Sequence, residues 1–302
     1  MAYHTHSDRV TAIHETEYPK DILGVVCDYI SDFVSNRISI GCKSSAVLMN
    51  DGSLFSWGSD DFKQVSGTPK GTRFVSVSCG DDHCVVLRSD GSIVCWGSNE
   101  HGQVSEAPTG LRFVSISAGG AFTIALKDDG TLHSWGDDTY DQISCTPRGV
   151  PGFISISAGG RHCLVLRDGK IHTWGDNDEN QVMSTPMESG FVSVSAGAEF
   201  SVAVDDNGFL HSWGNNDAEQ VSGTPKESGF VSVSASMYNA VGLKRKKTLV
   251  CWGDEDFYSA FEGSDFTEVS AGYSHAIALR ENGDLVLFGI DKLTLGAPKT
   301  IM

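Results

Sequence analysis

The stretch VCWGSNEHGQVSEAP (Val94–Pro108) sets a tryptophan beside a glycine, then runs through polar residues to a glutamine and a proline. All six tryptophans of the 302-residue chain belong to this phrase. They stand at Trp57, Trp96, Trp135, Trp174, Trp213 and Trp252, each 39 residues after the last. A seventh copy is weakened to Phe288-Gly289, 36 residues on. A fixed period near 40 residues marks a repeat architecture.

Other columns keep step. Ahead of the aromatics stand Asp51-Gly52, Asp90-Gly91, Asp129-Gly130, Asp168-Gly169, Asn207-Gly208 and Asn282-Gly283; only the sixth copy departs, with Lys246-Lys247. Asp-Gly and Asn-Gly between apolar runs predict type I′ hairpin turns, which need positive φ. Upstream lie alternating runs such as FVSVSCG from Phe74 and FISISAGG from Phe153. They read as strands, each closed by a glycine where the backbone bends or packs closely. Downstream, Gln64, Gln103, Gln142, Gln181 and Gln220 hold one column, and Pro69, Pro108, Pro147, Pro186 and Pro225 another. A short outer strand such as Gln103–Ser105 is expected between them, with proline at its end where a missing N–H costs least.

Each unit thus predicts four short strands, which cannot bury both faces alone. Radial stacking solves this. The expected fold is all-β: a seven-bladed β-propeller of four-stranded antiparallel blades over residues 36–302, with a short N-terminal helix. The helix belongs to an extension, residues 1–35, where Ile22, Val25, Val26, Tyr29, Ile30, Phe33 and Val34 follow Pro19 at helical spacing. Trp57, Trp96, Trp135, Trp174, Trp213, Trp252 and Phe288 are then structural wedges between blades, each contributing roughly 2–3 kcal/mol by burial. The last blade is complete in its own right, so the ring closes without an obvious strand exchange.

The net charge of −17 disfavours nucleic acid and anionic membrane and suits a basic protein partner. Eight cysteines include no CxxC pair, which argues against a zinc site. The N-terminus reads without a signal peptide, so reduced thiols in a cytoplasmic or nuclear monomer are expected. No run approaches the ~20 apolar residues that span a bilayer.

The whole pattern resembles the regulator of chromosome condensation repeat. Gly97–Ser105 (GSNEHGQVS) is similar to its GSN-x-x-GQLG segment, and Gly80–Leu87 (GDDHCVVL) to its G-x-x-H strand. The resemblance runs through nearly everything beyond residue 35. It implies a protein-binding propeller, and for the founding member guanine nucleotide exchange on the small GTPase Ran. In size and compactness the chain also resembles a Ran-activating effector that Legionella secretes into host cells. Other members are passive scaffolds, adaptors or inhibitors, and that reading stands as the alternative. The light-sensing run of the family's photoreceptor and the basic DNA-binding tail of its exchange factor are both missing here.

Framework columns repeat because packing repeats, so partner choice falls to loops that differ. One set follows the alternating strand: Asp81, Asp82, Arg161, Glu199, Tyr238 and Tyr273 are candidate contacts, exposed Tyr and Arg being typical interface anchors. A second set follows Trp-Gly: Asp137, Asp138, Asp176, Asp178, Asp254 and Asp256 belong to a ring of carboxylates able to steer a basic partner. Asp176 opens a run that starts like a calcium loop but lacks the glycine and glutamate such a loop needs. His83, His162 and His275 share a column with Phe122 and Phe200, which reads as a packing slot. Lys244, Arg245, Lys246 and Lys247 make a basic turn suited to an anionic contact or nuclear import. No cofactor, metal, nucleophilic triad or catalytic carboxylate pair is expected.

Overall fold

A computed structural model describes residues 36–254, 263–273, 275–289 and 296–301. The expected N-terminal helix and Asp256 lie outside the described residues. Strands β1 to β21 form seven antiparallel sheets of three, each in sequence order. The first holds β1 (Ile38–Ile40), β2 (Ser44–Leu48) and β3 (Leu54–Gly58). The seventh holds β19 (Phe266–Ala271), β20 (His275–Arg280) and β21 (Leu285–Gly289). The fold is a seven-bladed propeller, and no helix occurs among the described residues.

Blades are three-stranded rather than four-stranded, for a local reason. One Asp60 carboxylate oxygen accepts the backbone N–H groups of Val65 and Ser66, at 2.9 and 2.7 Å. Asn99, Asp138, Asn177 and Asn216 repeat this in the next four blades. The N–H groups that a fourth strand would offer to the sheet are engaged inside consecutive turns. The hairpins also differ from expectation. Asp168 and Gly169 alone both have positive φ, 53° and 69°, with Arg167 directly opposite Lys170. The first three blades carry an extra residue, Ser53, Ser92 or Thr131, whose N–H and hydroxyl both bond the turn aspartate. In the sixth blade Lys247 takes the glycine's place at φ 62°.

The inner strands explain the second serine of each alternating run. The last N–H of an inner strand has no strand partner, and a buried orphan donor is costly. Each is accepted by a serine hydroxyl from the preceding blade: Cys79 N–H by Ser39, Ala118 by Ser78, Ala158 by Ser117, Ala196 by Ser157, Ala235 by Ser195 and Ala271 by Ser234, all at 2.9 Å. The circle closes where Ser270 accepts the N–H of Ile40 at 3.1 Å. Backbones approach closely along it: a Cβ at Gly80 would stand 2.1 Å from the Gly119 carbonyl oxygen.

Closure between the last and first blades uses special parts. Each later blade opens on a phenylalanine whose N–H bonds back to the preceding turn, as Phe113 does to Gly91 at 2.8 Å. The first blade lacks that residue. Ile301, at the C-terminal end, bonds Gly283 in the equivalent way at 3.0 Å, and its carbonyl accepts the N–H of Asn50 at 2.9 Å. It is fully buried among Ile38, Trp57, Ile277 and Leu285. A glutamate reinforces the joint. Where other inner strands carry Ser76, Ser115, Ser155, Ser193 and Ser232, β19 carries Glu268. Its Oε1 accepts the N–H groups of Arg37 and Ile38, at 2.7 and 3.2 Å. Burial pushes this carboxyl up to about 8, against those bonds and the Arg37 charge.

Two outcomes follow at this joint. Ile301→Ala is expected to cost about 2–4 kcal/mol in denaturant unfolding. Glu268 has a folded value above its ordinary 4.5, so its stabilising contribution is full below that pH and is lost as pH rises toward 8. Relative to wild type, Glu268→Gln should therefore gain thermal midpoint progressively from pH 5 to 8; a constant difference contradicts the raised value.

Candidate partner-binding face

Both variable loop sets lie on one face. The residue after each Trp-Gly donates its N–H to the last residue of the inner loop: Ser59 to Lys43 and Ser98 to Asp82 at 2.8 Å, Asp137 to Ala121, Asp176 to Arg161 and Asn215 to Glu199 at 3.0 Å, and Asp254 to Tyr238 at 3.1 Å. The inner loops surround the axis and the outer loops surround them. The hairpin turns lie at the other ends of the strands, on the opposite face. That places Lys244, Arg245, Lys246 and Lys247 away from the other candidates. Lys244 pairs with Glu227 at 2.9 Å and lies over the Phe230 ring, and Lys247 pairs with Glu281.

The framework beneath this face is a relay between glutamine and tryptophan. Gln64 is buried, and its side-chain oxygen accepts the N–H of Phe62 at 2.8 Å, fixing its own loop. Its backbone carbonyl accepts the indole N–H of Trp96, 32 residues on, at 2.8 Å. The same bond joins Trp135 to Gln103, Trp174 to Gln142, Trp213 to Gln181 and Trp252 to Gln220, at 2.8–3.0 Å. Each ring packs between blades: Trp135 touches the core formed with Val85 and Leu87 of the blade before. His83, His162 and His275 are buried, and burial pushes each down to about 4, so they are neutral at pH 7. Their Nε2 atoms meet Thr123, Ser201 and Ser45 of the next blade at 2.9–3.0 Å.

The carboxylates divide into two groups. Asp60 and Asp138 cap turns, and asparagine does the same work at three equivalent positions, so their charge is incidental to the fold. Asp176 is buried and accepts the N–H of Asp178 at 3.0 Å. Asp137 accepts from Thr139 and Gln142 and faces His101 at 3.5 Å; these contacts outweigh burial and hold it low. At the axis, burial raises the Asp81 carboxyl, with the charge of Asp82 next, while Arg161 and Lys43 oppose both. Asp81 leans over Gly120, where a Cβ would stand 3.2 Å from its oxygen. Arg161 lies 4.7 Å over the ring of Tyr140. Tyr238 and Tyr273 meet with ring centroids 5.9 Å apart, and Met237 and Tyr273 are exposed.

The face therefore joins Arg161 to Asp81 in one cluster and Tyr238 to Tyr273 in another. It does not gather the outer carboxylates into a site. Tyr140 and Lys43 belong to the rim but escaped sequence reading. Tyr140 stands in a column with Phe62, His101, Glu179 and Ala218, whose variation was the available signal.

Residues 74–103, 113–142, 153–181 and 191–220 match the regulator of chromosome condensation (RCC1) repeat. The chain carries RCC1 repeats. Each match runs from the first phenylalanine of an inner strand to the relay glutamine. The CRINKLY WD40 ectodomain of the Arabidopsis thaliana receptor kinase ACR4 is 23% identical, covering 88% of this chain and 96% of its own, with a TM-score of 0.72. The ectodomain of the Physcomitrella patens receptor kinase CR4 is 22% identical over 84% and 72%, with a TM-score of 0.73. Prp20p of Saccharomyces cerevisiae is 16% identical over 91% and 87%, with a TM-score of 0.68. At these identities the likeness concerns the fold. No curated protein matches the sequence. No helix among the described residues is long and apolar enough to cross a membrane.

Asp138 separates cap from charge. Asp138→Asn should leave the thermal midpoint unchanged, whereas Asp138→Ala should cost about 1 kcal/mol by orphaning the N–H groups of Ile143 and Ser144.

Proposed function

We propose that this propeller, residues 36–302, binds another protein through the face that carries the inner and outer loops. The observation behind this reading is the distribution of variation. Serine, glutamine, tryptophan and cap columns recur from blade to blade, while the inner loops change from Asp81-Asp82 through Gly160-Arg161 to Met237-Tyr238. Exposed Tyr and Arg at the axis suit an interface centre, and the carboxylates around them suit a basic rim on the partner.

The finer reading is nucleotide exchange on a Ran-type GTPase. It draws on the family resemblance and on Prp20p, whose structure is described together with its binding to Gsp1p and histones. Exchange would proceed by loop residues displacing the phosphate-binding region and its magnesium, which stabilises the empty GTPase. The second reading is a scaffold or inhibitor without exchange activity. It is favoured by the even loop lengths: each described inner loop matches its equivalents, and none projects. An origin in a bacterium that secretes the protein into a host cell belongs with the first reading.

Release of fluorescent GDP from purified Ran, with the full chain at substoichiometric amounts, separates them. Accelerated release supports exchange, and binding without release supports the scaffold. Absence of both contradicts the Ran assignment.

A further inference from the structure

Among the described residues five aromatic rings carry a cation over the ring. Arg88 stands over Phe74, Arg167 over Phe153, Lys244 over Phe230 and Arg280 over Phe266, at 4.9–5.8 Å from the ring centres. On the loop face Arg161 stands over Tyr140. Among the described residues no cation stands over either ring of the Tyr238–Tyr273 pair. The two rings are inclined at 57°; Tyr273 is exposed and Tyr238 half-buried, with exposed Met237 next in the chain.

The surroundings decide what the open rings suit. Lys43, Lys63 and Arg161 are the only lysine or arginine residues in the described inner loops and in the described turns between each Trp-Gly and its relay glutamine, and Arg161 is already held by Tyr140. Carboxylates stand in the loops of each of the first six blades. An exposed aromatic face in a negative field attracts cations through both the ring quadrupole and the field. An anionic group meets the opposite of both.

We propose that Tyr238 and Tyr273 form a seat for one arginine or lysine side chain presented by a protein partner. This rests on the reading that the loop face is the partner face, and it names what that partner must carry. The seat holds the cation against the rings while the outer carboxylates orient the rest of the basic segment.

The test uses the full chain and a fluorescent ten-residue peptide with a central arginine between lysines, beside the same peptide with citrulline at the centre. Citrulline keeps the side-chain shape and loses the charge. Wild type should prefer arginine, and in Tyr238→Leu/Tyr273→Leu the arginine-to-citrulline affinity ratio should fall about 3- to 30-fold. Tyr238→Phe/Tyr273→Phe should keep the ratio, and Arg245→Ala/Lys246→Ala on the opposite face should not alter it. Circular dichroism confirms that each variant is folded; should the leucine pair unfold, Tyr273→Leu alone is expected to lower the ratio. An unchanged ratio in folded leucine variants, or no binding of the arginine peptide by wild type, overturns the seat. GDP release from Ran is read independently, so loss of the seat leaves that result standing.

Discussion

An inner strand facing a propeller axis ends in an N–H with no strand beside it. Here a serine hydroxyl from the preceding blade accepts that N–H, and the pattern continues around the circle until Ser270 meets Ile40. One such bond contributes only about 1 kcal/mol net, but each also spares the desolvation of an orphan donor. Its geometric effect is larger. It fixes neighbouring inner strands at one spacing, and that spacing sets how closely the glycine backbones approach and where the inner loops emerge.

A second link works farther from the axis. The relay glutamine receives the indole of the next blade on its carbonyl and stiffens its own loop with its side chain. Trp and Gln therefore recur together because they are two ends of one inter-blade contact. With serine inside and Trp–Gln outside, the first six blades are held each to the next at two radii. Loop residues on the partner face are then free to vary without disturbing packing, and Arg161 beside Tyr140, or Tyr238 beside Tyr273, can arise blade by blade.

The architecture was legible in the sequence because packing is periodic, and the period shows in Trp, Gln, Gly and Ser alike. The fourth strand was misread for a specific reason. Gln103–Ser105 has strand-like composition, but Asn99, four residues earlier, captures the N–H groups of Val104 and Ser105. Side-chain capture of backbone donors is invisible to periodicity. The same blindness hid that Asp138 caps a turn as well as carrying a charge. Ring closure was also beyond reach, since Ile301 replaces a phenylalanine lying far away in sequence. The candidate face was half legible: the variable loops were evident, but that both sets share one face, and that two tyrosines meet, depends on register.

The central claim is that the circle of serine bonds is closed at Ile40 as firmly as elsewhere. Native-state hydrogen exchange at the amides of Ile40, Cys79, Ala118, Ala158, Ala196, Ala235 and Ala271 tests it directly. The closed circle predicts protection at Ile40 comparable to the other six, all lost together as denaturant rises. Exchange at Ile40 near the rate of an unfolded amide, with the other six still protected, would contradict it.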